Sequence, residues 1–134
     1  FNPRFIEPIR QGLKTQTIRA DGLRPHARPG QLLQLYSGMR TAHCIRILPD
    51  TPCLAVMRVE IGFSFGQKVL IDRIKTDGVR VRDLDAFAIR DGFLDRYDMS
   101  AFWRDHHPDT DDKGFTGTLI EWVRPAETEM GVAA

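Results

Sequence analysis

The first hydrophobic positions of the chain recur at helical spacing. Four apolar residues fall on one face of such a helix: Phe5, Ile6, Ile9 and Leu13. Asn2-Pro3 is a typical helix start, because proline is tolerated in the first turn, and Gly12 is a typical helix end. The pattern predicts one short amphipathic helix that leads directly into the segment 14–19.

The middle and the end of the chain show the patterns of β-strands, either alternating or densely apolar. Strands are predicted over residues 31–36, 41–47, 53–62, 69–74, 79–81 and 116–123. Short turns rich in glycine, proline and aspartate separate them, and residues 20–30 are predicted to form a loop. The segment 53–62 is dense in Val, Met, Ile and Leu, so it is expected to be a central strand.

Before the last predicted strand the hydrophobic period becomes helical, over an excursion around residues 83–107. Asp83 is a typical N-cap for a first helix, and the segment 91–93 interrupts that helix. Asp98 or Ser100 is expected to cap a second helix. This order of elements predicts two helices inserted between strands.

The order of elements predicts an α+β fold, namely an antiparallel β-barrel decorated by the N-terminal helix and by the helical excursion. Single strands do not alternate with helices, as they would in a doubly wound sheet. The length of 134 residues suits one domain. We expect that domain to occupy residues 1–124, with residues 125–134 as a disordered tail. No apolar run approaches the roughly 20 residues of a membrane span, so no membrane partner is expected.

The composition is that of an ordinary globular protein, with 42% hydrophobic residues, 28% charged residues and a net charge of +1. The basic residues are concentrated early, since the first 48 residues hold eight Lys and Arg against only Glu7 and Asp21. Arginine binds phosphate through two parallel hydrogen bonds and stacks on bases. The basic first half is compatible with a nucleic-acid face and equally with a solvated surface.

Cysteine usage argues against a disulfide framework. Cys44 and Cys53 are too few to build one, which favours a reducing, cytoplasmic location. No spacing of Cys and His supplies the four ligands of a tetrahedral zinc site. An aspartate-rich segment at 109–114 lacks the ligands of a calcium loop, because Lys113 and Ile120 stand where oxygen ligands are needed. We therefore expect neither a metal nor another cofactor.

The segment Gly12-Leu13-Lys14-Thr15-Gln16-Thr17-Ile18-Arg19, preceded by a helix, resembles the G-x-K-x-x-T-x-R signature of the ASCH domain family, a branch of the PUA-like superfamily. Further similar elements follow in the order of that family. Residues 29–36 resemble its G-D-x-L strand with Gln31 in place of Asp, and residues 37–41 resemble its Arg-bearing hairpin. Asp91-Gly92-Phe93 resembles its E-G-F element with Asp in place of Glu. The resemblance spans roughly residues 1–124 and implies a PUA-like barrel.

The resemblance implies a protein that acts on RNA or on a modified nucleoside. One branch of small bacterial ASCH proteins is a hydrolase of the acetyl amide of N4-acetylcytidine and uses a Lys, a Thr and a later Glu. By motif, the corresponding catalytic residues are Lys14, Thr17 and Asp91. Four further residues are candidates for binding the substrate or RNA: Arg19, Thr15, Tyr36 and Arg40. Two alternatives stay open, a PUA-like RNA-binding module without catalysis and a single-strand-specific ribonuclease.

The proposed chemistry sets conditions on the structure. A threonine hydroxyl needs a base to take its proton, and lysine is such a base only when burial or a nearby cation lowers its pKa. In a regular strand Lys14 and Thr17 would point to opposite faces, so they converge only if the chain bends before the strand begins. Asp91 reaches about 1.5 Å less than Glu would. A helix-ending Asp-Gly turn without chemistry is an equal alternative for it.

Overall fold

The computed structural model of the protein describes residues 1–22, 27–65, 69–107 and 114–125. The helices in these ranges are a 3-10 turn at Pro3–Phe5, α1 (Ile6–Arg10), α2 (Leu84–Arg90) and α3 (Arg96–His106). The strands are β1 (Gln16–Ala20), β2 (Leu32–Leu33), β3 (Tyr36–Ser37), β4 (Ile45–Arg46), β5 (Thr51–Phe65), β6 (Val69–Thr76), β7 (Val79–Arg80) and β8 (Phe115–Trp122). The fold is therefore α+β.

The N-terminal helix confirms its sequence signals. The side-chain oxygen of Asn2 accepts a hydrogen bond of 3.0 Å from the backbone N–H of Arg4, which caps the first turn. Gly12 ends the helical segment with a φ of +76°, a conformation that glycine adopts without strain. The observed apolar face is shorter than the predicted one, because Leu13 follows the helix end and is 48% exposed.

The main sheet is antiparallel, with the strand order β1-β8-β5-β6-β7, and β2 pairs with the start of β5. The predicted barrel is not closed. Among the described residues, β1 and β7 are the two edges of the sheet and do not pair with each other. Closure would require these edges to exchange backbone hydrogen bonds, and β7 offers only two residues, Val79 and Arg80, both exposed.

Two predicted strands form only in fragments. The segments 31–36 and 41–47 contribute β2 and a small separate hairpin, in which β3 pairs Tyr36 with Arg46 and Ser37 with Ile45. Gly38 and Arg40 both have positive φ, at +68°, so the chain between the two hairpin strands turns instead of extending. The predicted central strand is confirmed, since β5 lies between β8 and β6.

The helical excursion covers one face of the sheet, with α3 packed on β6. Asp83 caps α2 as predicted, because its Oδ1 accepts a 2.9 Å hydrogen bond from Ala86 N–H. The predicted cap of the second helix is wrong. Asp95 caps α3 by accepting from Asp98 N–H at 2.8 Å, so Asp98 already lies in the first turn. Ser100 is buried and accepts a 2.9 Å hydrogen bond from Ile71 N–H on β6.

The hydrophobic core lies between this sheet face and the helices. Its buried members include Val59, Ile61, Ile71, Ile74, Phe87, Met99, Trp103 and Leu119. None of the helices in the described ranges combines the length and the apolar character needed to cross a membrane. The predicted tail beyond residue 125 and the aspartate-rich segment up to residue 113 lie outside the described residues.

Candidate functional site

The chain bends sharply between α1 and β1, where Lys14 lies. The backbone N–H groups of Leu13 and Lys14 both donate to the carbonyl of Pro8, at 2.9 and 3.0 Å, which folds the chain back against α1. Thr15 N–H then donates to the carbonyl of Arg90 at the end of α2, at 2.9 Å. The bend that the chemistry requires before β1 is therefore present, and it directs Lys14 toward the end of α2.

The side chain of Lys14 is buried, with only 2% of the residue exposed. Its Nζ donates to the backbone carbonyl of Gln16 at 2.8 Å and to the backbone carbonyl of Asp91. The same nitrogen lies 4.0 Å from Oδ1 of Asp91 and 4.5 Å from the ring centroid of Phe5. A lysine that leads into β1 thus makes an ion pair with an aspartate that ends α2.

Burial shifts the pKa of both partners toward neutrality. The pKa of Lys14 is lowered to about 8: burial is the largest cause, the negative charge of Asp91 opposes it, and the positive charges of Arg19 and Arg4 contribute to the lowering. Burial also raises the pKa of Asp91 to about 6, although Lys14, the Gln16 amide and Arg19 act in the opposite direction. Burial thus favours the neutral form of each partner, while the opposite charge of the other partner favours the ionised form.

Gln16 is the third polar side chain in this interior, with 1% of the residue exposed. Its amide lowers the pKa of the Asp91 carboxyl as a nearby donor does. The two groups nevertheless do not meet in hydrogen-bond geometry. Within the described part of the chain, Gln16 Nε2 and Asp91 Oδ1 are both buried without a hydrogen-bond partner. Proximity of the Gln16 amide is enough for its electrostatic effect on the carboxyl.

Gly92 creates the space into which Lys14 fits. Its φ is +99°, and a Cβ at this position would lie 2.7 Å from Lys14 Cδ and 2.8 Å from Phe5 Cδ1. Both distances are far below van der Waals contact. The glycine after Asp91 therefore has a packing role at the buried pair as well as a turn role, because any other side chain would displace Lys14 or Phe5.

Thr17 lies next to this pair along the chain, but no hydrogen bond among the described residues joins its hydroxyl to Lys14 or Asp91. The ammonium of Lys14 sits on the carbonyl of Gln16, which belongs to the peptide bond that joins Gln16 to Thr17. Strand alternation in β1 places the side chains of Thr17 and Arg19 on one face and that of Gln16 on the other. The structure thus brings Lys14 and Asp91 together. The side chain of Thr17 points to the face of β1 that is opposite to the face of Gln16.

Arg19 connects this interior to an open cleft of about 570 Å³. The cleft is lined by Arg19 together with Ile120, which pairs with Thr17 in the sheet, and with residues of the β2 region such as Leu33. Much of Arg19 is accessible to solvent, yet burial of its guanidinium lowers its pKa, against the raising effect of Asp91. Arg19 is therefore electrostatically coupled to Asp91 while it lines the cleft.

The remaining predicted binding residues are placed differently. Tyr36 is half-buried in β3, and its carbonyl accepts a 2.8 Å hydrogen bond from the backbone nitrogen of Phe1. The ring of Phe1 lies 5.2 Å from Arg19 Cζ and 5.6 Å from Lys14 Nζ, so it adjoins the site. Arg40 is exposed in the turn after β3, and no hydrogen bond or ion pair among the described residues links it to the site.

Thr15 is half-buried, and its backbone holds the site in place. Its N–H donates to Arg90, and its carbonyl accepts a 3.0 Å hydrogen bond from Trp122 N–H at the end of β8. Gln16 was missed by the sequence reasoning, although one signal was available. Gln16 and Ile18 are two residues apart in β1, so their side chains share one strand face. Ile18 packs against the core, and a polar residue on that same face is a signal of a buried polar group.

In the described ranges, no three or more His, Cys, Asp and Glu side chains are grouped so that they could hold a metal ion. Cys44 is exposed and Cys53 is buried, and both are unpaired thiols.

The site consists of Lys14, Asp91 and Gln16 in the interior, with Arg19 and Thr17 on the cleft side. Comparison of the chain with protein-family models, with curated proteins and with solved structures found no match.

Proposed function

We propose that the protein is an ASCH-type, PUA-like domain that hydrolyses the acyl amide of an N4-acylated cytidine, with Thr17 as nucleophile and Lys14 as base. The single observation that carries this proposal is the buried pair of Lys14 and Asp91. A surface that only attracted RNA phosphates would present its lysine to solvent. Lys14 instead has a pKa lowered to about 8, as general-base chemistry requires.

The cost of this arrangement supports a functional reading. Moving two charges out of water carries a large desolvation penalty, and an apolar pair of similar volume would often be at least as stable. Buried groups with perturbed pKa values are concentrated at functional sites for this reason. The short helix leading into residues 12–19 supports the ASCH-type assignment, together with the order of the motifs, whereas the open sheet departs from the closed barrel that a PUA-like domain implies.

The proposed reaction uses one proton shuttle in two steps. Neutral Lys14 takes the proton of the Thr17 hydroxyl while Oγ1 attacks the acyl carbon, and the carbon–nitrogen bond then breaks as Lys14 returns the proton to N4 of the departing cytidine. Water next attacks the acyl ester on Thr17 as Lys14 takes one of its protons, and the ester bond then breaks as Lys14 returns that proton to Thr17 Oγ1, which releases the carboxylic acid and restores Thr17. Asp91 stabilises Lys14 whenever the ammonium form is present.

For this chemistry the substrate occupies the cleft beside Arg19. Thr17 and Arg19 share a strand face, and Ile120, the sheet partner of Thr17, lines that cleft. In the proposed reaction, Lys14 Nζ leaves the carbonyl of Gln16 and approaches the hydroxyl of Thr17, which directly follows Gln16 in the chain. Arg19 is the cation best placed to stabilise the negative oxygen of the tetrahedral intermediate.

The direct test incubates the protein with N4-acetylcytidine and follows the release of cytidine by chromatography. We expect turnover by the unaltered chain and its loss, by at least about a hundredfold, in Lys14→Ala and Thr17→Val. Lys75→Ala is the matched control, because Lys75 is an exposed lysine on β6. Absence of turnover, or full activity in Lys14→Ala, would overturn the proposal.

A second candidate function is RNA binding without catalysis. It is favoured by a cleft of about 850 Å³ whose walls include Arg10, Arg124 and the apolar residues Ile47 and Leu48. RNA affinity should then fall steeply as salt rises, and replacing Arg10 should flatten the log–log slope, since each phosphate contact releases counterions. An affinity that does not respond to salt would exclude this function.

A further inference from the structure

We propose that Arg4 is a positioning residue for the base Lys14 and acts on it across the ring of Phe5. This inference rests on the proposed function and deepens it, because it names a residue outside the site that helps to set how readily the base releases its proton. It uses no property of the substrate. Asp98, which holds Arg4, belongs to the same arrangement and acts in the opposite direction.

The ring of Phe5 is shared by two cations. Lys14 Nζ lies 4.5 Å from the centroid of this ring, and Arg4 Cζ lies 5.5 Å from it. The two charged groups are therefore at most about 10 Å apart, the sum of the two distances. Phe5 is buried, so both cations adjoin an aromatic ring at a place where solvent would otherwise screen them. Their repulsion is consequently weakened less than it would be between two surface charges.

The guanidinium of Arg4 is held in place from two sides. Asp98 Oδ2 on α3 lies 2.6 Å from Arg4 Nη2, and the same oxygen accepts a 2.9 Å hydrogen bond from Leu94 N–H. The rings of Phe93 and Phe102 lie 5.0 and 5.6 Å from Arg4 Cζ, within the range of a cation–π interaction. The positive charge of Arg4 therefore acts from a fixed position.

Three charged side chains from three elements act on the amine of Lys14. Asp91, at the end of α2, favours the ammonium form, whereas Arg19 on β1 and Arg4 in the 3-10 turn disfavour it. Burial is the largest cause of the lowered pKa of Lys14, and the charge of Arg4 adds to it. Asp98 offsets part of the charge of Arg4. Removal of Arg4 should therefore favour the ammonium form, and neutralisation of Asp98 should favour the amine.

The alternative is that Arg4 and Asp98 only hold the nearby aromatic rings together. The three phenylalanine rings over which Arg4 lies pack against one another at centroid distances between 5.2 and 5.5 Å. Loss of either charged partner would then loosen the same packing and admit water to Lys14. Hydration favours the ammonium form, so the alternative predicts the same direction of change for both variants.

The test is a pH titration that follows the ionisation of Lys14 by the carbon chemical shift of its Cε atom, with Lys14→Met to assign the signal. Arg4→Gln should lower the acid dissociation constant of Lys14 about threefold, and Asp98→Asn should raise it about twofold. Arg4→Lys keeps the positive charge and should restore the value of the unaltered protein. Arg58→Gln is the matched control and should leave the constant unchanged. Arg58 also makes an ion pair of 2.6 Å, with Asp21, but its charge is not one of those that act on Lys14.

The direction of the two changes decides between the readings. Opposite changes in Arg4→Gln and Asp98→Asn, with recovery in Arg4→Lys, support the inference. Changes in the same direction, or no change, overturn it. If Arg4→Gln does not fold, Asp98→Asn alone decides, because only the electrostatic role predicts a raised dissociation constant for Lys14.

The titration needs no substrate, so its outcome is separable from the proposed hydrolysis. Opposite changes without turnover of N4-acetylcytidine would overturn the hydrolysis and leave the effect of Arg4 on Lys14 standing. Turnover with an unchanged dissociation constant in Arg4→Gln would overturn this inference alone. If both proposals hold, kcat/KM at pH 7 should fall about threefold in Arg4→Gln, since the fraction of neutral amine falls by that factor below the pKa.

Discussion

The ammonium of Lys14 lies 4.0 Å from the Oδ1 atom of Asp91, in an interior that excludes almost all solvent from both residues. Burial pushes each group toward its neutral form, while the opposite charge of the partner holds it ionised. The ionisation of each group is thus set by a balance between its burial and the charge of its partner. That property makes the pair suitable for proton transfer, and it can be measured.

The pH dependence of hydrolysis should follow the ionisation of Lys14. The proposed base is the neutral amine, so kcat/KM should rise with pH and level off above about 8, the pKa that burial gives Lys14. Initial rates with N4-acetylcytidine between pH 5.5 and 9.5, roughly the range around both shifted pKa values, would show it after subtraction of spontaneous hydrolysis. A flat profile, or one that falls between pH 6 and 8, contradicts Lys14 as the base.

Removing one member of the pair should destabilise the protein more than removing both. Loss of one partner from a buried ion pair typically costs about 3–5 kcal/mol, and we expect the lower end for Lys14→Met because Asp91 can take up a proton. Lys14→Met/Asp91→Asn should recover most of the loss, since no charge is left buried. Urea denaturation at pH 7 measures both, with Lys75→Met as the control. Equal stability of the single and double variants would contradict this coupling.

The stability of the protein should rise with pH between about 8 and 10.5. The pKa of Lys14 is about 8 in the folded state against an ordinary value of 10.5, so the unfolded chain binds more protons in this interval. The free energy of unfolding therefore increases as pH rises through it, and the cost of keeping Lys14 charged instead of neutral is fully present below about 8. The comparison is urea denaturation at several pH values for the unaltered chain and for Lys14→Met. If the free energies of unfolding of the two proteins change with pH in parallel, the pKa of Lys14 is not depressed in the folded state.

Gly92→Ala should be more damaging than Gly78→Ala. Both glycines have positive φ, at +99° and +79°, so each alanine pays the left-handed backbone cost of about 1–2 kcal/mol. Only at Gly92 would the new Cβ also press on Lys14 Cδ and Phe5 Cδ1, whereas Gly78 has open space around it. Overpacking of this kind adds about 1–3 kcal/mol. Thermal denaturation measures the difference, and equal losses would show that Lys14 and Phe5 yield without cost.

The local features of the fold were predictable because their causes are local. Asn2 at the helix start, Gly12 at its end and Asp83 at α2 satisfy backbone groups within a few residues of themselves. The central position of β5 followed from its dense apolar pattern. The cap of α3 was predicted wrongly because several acidic and hydroxyl side chains stand within six residues of one another. Packing on β6 decides among them, since it requires Ser100 inside the helix.

The closure of the sheet could not be predicted, because it depends on which strand edges meet in space. The alternating pattern of residues 31–36 indicates a strand, but pattern alone does not tell how far a pairing extends. Only Leu32 and Leu33 of that segment pair with β5. The small β3–β4 hairpin uses the residues that follow as a separate unit. An open sheet results where the order of elements alone predicts a barrel.

The sequence by itself determined which chemical groups stand in residues 12–19 and 91–93, and the helix end at Gly12 before them. Only the tertiary structure decided that Lys14 and Asp91, 77 residues apart, share one interior, with Gln16 beside them. The physical reason is that a pKa and a hydrogen-bond deficit depend on burial and on neighbours from distant parts of the chain. The motif supplies a lysine and an aspartate, and the packing of α1, α2 and β1 removes the water around them.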